Sequence, residues 1–291
     1  SSAAISIRAA RSSSLWGDAW RRLSRNRLAL VGLVIVLATV FIAIFADVLA
    51  PRGYNDIDYA AVREAPSAKY PLGTDVVGRD MVARMIHGAR VSILVGLVSQ
   101  FIVVAIGVPI GAIAGYYSGK VDAVLMRFVD VMYAFPTLLF VILVMAFLGK
   151  GLLNIFIAIG LTTWVTIARL TRAEFLSLRE RDFTLAARAM GASPARLIIQ
   201  HLLPNALSPI IVAVTFGIPA AIFTEAALSF IGVGINPPMP SWGNMVGESQ
   251  QYILSYWYLA VTPAAAIGLL MLGFIFLGDG LRDALDPRAG R

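Results

Sequence analysis

The sequence predicts an all-α membrane protein with six transmembrane helices and both termini in the cytoplasm. Three observations carry that expectation. The 291-residue chain is 58% hydrophobic and only 14% charged, against about 25% charged residues in soluble domains, and its mean hydropathy is +0.79. Uncharged runs long enough to cross a bilayer core of roughly 30 Å recur along it. The basic residues cluster beside those runs. In a six-span reading with an inside N-terminus, 17 of the 24 Lys and Arg fall in inner segments, as the positive-inside rule expects. The formal charge of +7 is thereby explained without nucleic acid. With no cysteine and only His87 and His201, disulfides, iron–sulfur ligation and Cys- or His-rich metal clusters are excluded.

The elements follow in order. Residues 1–27 are Ser- and Arg-rich, then amphipathic: Leu15, Trp16, Ala19, Trp20 and Leu23 recur at helical spacing against Arg21, Arg22, Arg25 and Arg27. This reads as an interfacial helix with its tryptophans at headgroup level. Residues 28–50 hold the first span; its uncharged run, Leu28 to Ala46, exceeds a signal-peptide core and is expected to be retained. Residues 51–90 read as an extracytoplasmic loop of mixed charge, in which Asp75, Arg79 and Asp80 are placed for a local turn and salt-bridge network. Five more spans form the core, 91–279. The second, 91–119, carries Gly107, Gly111 and Gly115 four apart, a spacing that lets helix backbones approach closely. The third, about 129–148, holds a kink candidate at Phe135-Pro136, and Asp130 lies one turn from Arg127. The fourth is 152–168, the fifth about 205–231, the sixth about 256–277. Between the last two lies an outer loop, 232–255, and the cytoplasmic tail is 280–291.

An arginine-rich inner loop, 169–204, separates spans four and five. Its second half reads DFTLAARAMGASPARLIIQHLLPN. A first helical run through Leu185, Ala186, Ala187, Ala189 and Met190 breaks at Gly191, which permits a backbone angle other residues resist. A second run starts at Pro194, where a missing N–H costs little, and is expected to end at Pro204. Two short helices hinged at a glycine, too polar for the bilayer, read as an exposed cytoplasmic knob.

That stretch resembles the EAA loop of bacterial ABC importer permeases, on Ala186-Ala187, Gly191 four positions on, and Leu203-Pro204. The general pattern has Glu where this chain has Leu185 and an aliphatic residue where it has His201. The longer string AAR-x-x-GAS…HLLPN is similar to the oligopeptide and dipeptide branch. Two further strings carry the same resemblance: LGTD-x-x-GRD followed by GAR-x-S before the second span, and E-x-x-LSF-x-G-x-G followed by PP-x-PSWG after the fifth.

The resemblance implies a C-type transmembrane permease subunit with the type I importer fold, in a bacterial inner membrane. It implies as partners a homologous second permease, two cytoplasmic ATPases that hold ATP and Mg, an extracytoplasmic peptide-binding protein, and a peptide substrate. Leu185, Ala186, Ala187, Arg188, Ala189, Met190, Gly191, Ala192 and Ser193 would form the coupling helix against an ATPase, supported by His201, Leu203, Pro204 and Asn205. Glu225, Gly232, Gly234, Pro238 and Trp242 are candidates for an outer gate or binding-protein contact.

Glu225 is the one carboxylate deep in a late hydrophobic run. About 1.5 Å per residue from Asn205 puts it roughly 30 Å along the helix, near the outer interface. It is either functional, as intramembrane acids tend to be, or simply solvated or hydrogen-bonded there. Trp242 equally suits an aromatic-belt anchor. The sequence carries no phosphate loop, since Gly119-Lys120 lacks the upstream Gly and the hydroxyl. It has no G-x-S-x-G elbow, no catalytic constellation and no metal site. No cofactor is therefore expected on this chain. The alternatives are the same architecture with nickel-chelate, haem or oligosaccharide cargo, or a stand-alone secondary transporter. The latter is disfavoured by the lack of a membrane relay of acids and histidines.

Overall fold

Asn26 starts the first long helix with its own side chain. Its Oδ1 accepts from the backbone amides of Leu28 (3.1 Å) and Ala29 (3.2 Å), satisfying donors that a helix start leaves free. The computed structural model describes residues 15–285. The Ser- and Arg-rich residues 1–14 and the end of the expected tail, 286–291, lie outside the described residues. The amphipathic α1 (Leu15–Leu23) precedes Asn26 and packs Ala19 and Leu23 against Ala29 of α2 (Arg27–Ile44) and Ala284. A short α3 (Ala46–Leu49) continues the rod.

Residues 50–80 form a cap held by polar side chains. Asp58 accepts from Lys69 Nζ (2.9 Å) and Tyr70 Oη (2.8 Å), and these bonds hold its carboxyl down to about 2. Asp80 then caps α4 (Met81–Tyr117) by accepting from the amide of Val82 (2.8 Å). The helix therefore begins ten residues before the expected start of the span at Val91, because the cap residue is Asp80. At 37 residues it is about 55 Å long, more than a bilayer core of roughly 30 Å needs.

The expected third span is two helices, α5 (Gly119–Ala134) and α6 (Thr137–Leu148), bent by 89°. The cause is Pro136, which disfavours the helical conformation at the residue before it; Phe135 is extended (φ −79°, ψ 132°). Among the described residues five helices are long and apolar enough to span a membrane, or six if the bent pair counts as one. Asp130 does not pair with Arg127. It accepts from Arg169 (2.6 Å), whose guanidinium also lies 4.1 Å over the Tyr133 ring; the facing helix offers the better-placed cation.

α7 (Leu152–Leu178) runs ten residues past the expected end at Ala168 and makes the most extensive helix contact of the fold, with α4. The expected glycine ridge forms that seam: a Cβ on Gly107 would stand 2.7 Å from the Trp164 carbonyl oxygen. Near its end Arg172 grips Asp122 with two bonds, of 2.5 and 2.6 Å. α8 (Asp182–Ala189) and α9 (Pro194–Arg196) follow, then a π-helical turn, Leu197–Leu202, that runs directly into α10 (Leu203–Phe230). The expectation that the helix ends at Pro204 is overturned. The wider turn closes with Leu203 N–H on the Ile198 carbonyl, and Pro204, which has no N–H to give, follows just past that change of register inside the continuous run.

The stretch 232–255, expected as an outer loop, contains α11 (Trp242–Ser249), packed against α10 and α12 (Tyr258–Leu285). The core is one bundle. Ile93, Ile222, Trp242, Met245, Leu259 and Phe274 unite α4, α10, α11 and α12, and Val95, Val141, Ile155, Ile159 and Leu228 unite α4, α6, α7 and α10.

Candidate functional site

Two regions of the bundle stand apart in chemistry, one at each end of α10. At its arginine-rich start is the α8 loop. Thr184 anchors α8 by donating Oγ1 to the Leu178 carbonyl (2.8 Å), and Thr184 and Ala187 are the buried residues of the helix. Its end is closed by two crossed bonds, Ala192 N–H to the Ala187 carbonyl (3.1 Å) and Gly191 N–H to the Arg188 carbonyl (3.0 Å), with Gly191 at φ +87°. This is a Schellman closure, which needs a left-handed residue at the glycine position. Ser193 then caps the next turn, accepting from Arg196 N–H (3.4 Å).

The remainder of α8 faces outward. Leu185, Ala186, Arg188, Ala189, Met190, Gly191 and Ser193 are exposed, Met190 to 82%, and Ala192 is half-buried. Ala187, expected among the contact residues, points inward instead. The support residues continue the helix rather than stop it: His201 and Leu203 are half-buried, Pro204 and Asn205 exposed, and Asn205 Nδ2 donates to the His201 carbonyl across the π turn (2.6 Å).

At the far end of α10 a chain of polar contacts runs through the core. Glu225 is fully buried. Its Oε1 accepts from Ser229 Oγ and Ser241 Oγ, both at 2.7 Å, and its Oε2 has no partner. Ser241 Oγ also caps α11, accepting from Asn244 N–H (3.0 Å). Asn244 Nδ2 reaches Glu248 Oε1 (3.3 Å). Glu248 Oε2 accepts from Arg84 (2.7 Å) and Arg79 (3.1 Å), and both arginines bond Asp75. The expected turn network of Asp75 and Arg79 is thus present, but Asp80 pairs with Arg52 (3.1 Å) and caps α4 instead.

Arg84, Ser229, Ser241, Asn244 and Glu248 were not anticipated from the sequence. Arg84 and Glu248 lie 164 positions apart, and nothing local links them. Only Ser229 carried a local signal, its place four residues after Glu225. Of the candidate gate or contact residues, Gly232 and Pro238 are exposed, whereas Glu225, Gly234 and Trp242 are buried. Trp242 is not a belt anchor: its ring is in the core and Nε1 donates to the Met85 carbonyl (2.9 Å). Beside this chain opens a cavity of about 460 Å³ lined by Ser229, Gly232, Asn244 and Glu248.

Burial pushes the Asp75 carboxyl up, but Arg84, the Arg79 and Val77 amides and the Arg79 guanidinium outweigh it and hold it below its ordinary 3.8. A depressed carboxylate contributes stability that is full above its unfolded value and is lost as pH falls through the folded one. Hydrogen-exchange protection of the cap amides of Val77 and Arg79 should therefore hold from neutrality to about pH 4 and fall only below it. Asp75→Asn should remove that acid transition and cost about 3–5 kcal/mol, because Arg84, 1% exposed, loses a buried partner.

A family model described as "Binding-protein-dependent transport system inner membrane component" matches residues 107–291. One described as the N-terminal TM domain of oligopeptide transport permease C matches residues 14–66. Among curated proteins the chain is 42% identical over 275 residues to the dipeptide transport system permease protein DppC of Alkalihalophilus pseudofirmus, covering 94% of this chain and 90% of that one. It is 41% identical over 278 residues to the oligopeptide transport system permease protein OppC of Bacillus subtilis, covering 96% and 91%. It is 39% identical over 274 residues to the glutathione transport system permease protein GsiD of Pectobacterium atrosepticum, covering 94% and 91%. A solved structure, of inward-facing conformations of the MetNI methionine ABC transporter, aligns with a TM-score of 0.56 at 21% identity, over 71% of this chain and 98% of that one. At that identity the likeness is one of fold.

Proposed function

The chain belongs to the family of binding-protein-dependent transport system inner membrane components, and on that premise we propose that it is one of two membrane-spanning subunits of an ATP-driven peptide importer. One observation carries the reading. The α8 loop presents a short, rigidly closed helix on the surface and joins α10 with no break in the helical run from Pro194 to Phe230. A push on α8 is therefore delivered along a rod. The relatives' names, for dipeptides, oligopeptides and glutathione, support a peptide cargo.

In this reading the arginine-rich end faces the cytoplasm, in keeping with the bias of Lys and Arg along the sequence. Residues 185–193 dock on an ATPase subunit, which holds ATP and Mg, and a homologous second permease completes the pathway. A binding protein delivers peptide at the far end. Closure of the ATPases displaces α8 and α10 and opens the pathway outward; release returns it inward. The proposed basis is differential contact of the ATPase with two states of the permease, as a coupled equilibrium requires.

The test is co-purification from the native membrane in mild detergent. A second permease and two ATPases should accompany this chain, and a peptide-loaded binding protein should stimulate hydrolysis. A chain recovered alone, with peptide transport independent of ATP, overturns the reading in favour of a solitary transporter.

A further inference from the structure

We propose that Glu225 is a positioning residue that clasps α11, and through it the 50–80 cap, to the far end of α10, so that the mouth of the pathway moves as one body with the rod that carries the α8 loop. The inference rests on the importer reading above and adds a mechanical element to it. The route is continuous. Glu225 is bonded to Ser241 at the start of α11, Ser241 to Asn244, Asn244 to Glu248, and Glu248 to Arg79 and Arg84. Arg84 lies in the first turn of α4, and Asp75, which both arginines bond, lies in the cap.

Two features single out Glu225 within it. It is the link that crosses from α10 to α11 through side chains, since its bond to Ser229 stays within one helix. And it is fully buried with Oε1 doubly bonded and Oε2 unpartnered. Burying a carboxyl with one oxygen unsatisfied is costly, so apolar packing alone would favour another residue there. The cavity beside the clasp is bounded by both sides of it, Ser229 on α10 with Gly232 just after it, and Asn244 and Glu248 on α11. Its shape is therefore set by how α11 is held.

The experiment uses the assembled complex in liposomes and reads the ratio of ATP hydrolysis with peptide-loaded binding protein to hydrolysis without it. Glu225→Met, of similar bulk but with no acceptor, and Ser241→Ala should each reduce that ratio about tenfold, and the double variant should be no worse than the more damaged single one, as expected for one shared bond. Glu225→Gln keeps an oxygen for both serines and should stay within about twofold of the parent, as should Ser229→Ala and Ser241→Thr. If Glu225→Met fails to assemble, Ser241→Ala, which removes one hydroxyl, decides. A ratio within twofold of the parent in Ser241→Ala, or an equal loss in Ser229→Ala, overturns the clasp. A parent complex with no stimulated hydrolysis overturns the importer reading instead, whatever the variants do.

Discussion

Gly111→Val should abolish accumulation of folded chain in the membrane, while Gly268→Val should leave it at the parent level. A Cβ on Gly111 would fall on the Ala168 carbonyl oxygen, 2.7 Å from Thr171 Cβ and 3.0 Å from the Arg172 amide nitrogen. The obstruction is backbone, which cannot rotate away as a side-chain tip can. Overpacking costs about 1–3 kcal/mol even where side chains can adjust, and here relief requires α4 and α7 to separate. Separation would also pull Arg172 from Asp122 and loosen the shared core of Val103, Val129, Trp164 and Ala168. Gly268, in α12, has no atom within 4 Å of its Cβ position. Folded yield and unfolding temperature in detergent check both. Equal yields would mean that the α4–α7 seam is looser than described.

The second large effect is expected at Gly191, and it should be functional rather than structural. No atom lies within 4 Å of a Cβ there, yet φ is +87°. A side chain has room but strains the backbone, by roughly 1–2 kcal/mol for a left-handed residue and more for a β-branched one. Gly191→Val should therefore reopen the closure formed by the Ala192 and Gly191 amides and change the direction in which α8 leaves the π turn. Buried anchors such as Thr184 and Leu202 are untouched, so insertion and assembly should persist. Peptide uptake should fall about tenfold or more, whereas Gly191→Asn, which tolerates the left-handed region, should stay within about threefold. Arg188→Glu, on the exposed face of the same helix, should also uncouple hydrolysis from uptake. Normal coupled uptake in both Gly191→Val and Arg188→Glu would remove α8 from the transmission path.

The α8 loop was legible in advance because its determinants are local. A left-handed position needs glycine, a helix start tolerates proline, and alanines in between favour helix; each acts within a few residues. The same holds for the glycine ridge of α4, whose spacing of four states that a partner backbone comes close. Where local reading failed, a longer reach was at work. Pro204 looked like a terminator, but a π turn two residues earlier shifted the hydrogen-bond register and let the helix continue. Asp130 had a plausible neighbour in Arg127, yet α7 brought Arg169 across. The kink candidate at Phe135-Pro136, by contrast, is local and does bend its span, by 89°.

By itself, then, the sequence determined what hydrophobic runs, charge bias, caps and turn residues can determine: a membrane-embedded helical bundle, its approximate spans, and a closed helical knob on its basic loop. Those features depend on transfer of apolar groups from water and on backbone geometry within a turn or two. Only the tertiary structure decided that Glu225 is sealed in the core rather than wetted, that Trp242 packs inward, and that Arg84 and Glu248 meet. Such pairings arise from whichever helices happen to face each other. Their cost or gain depends on the exclusion of water around them, and no spacing along the chain records it.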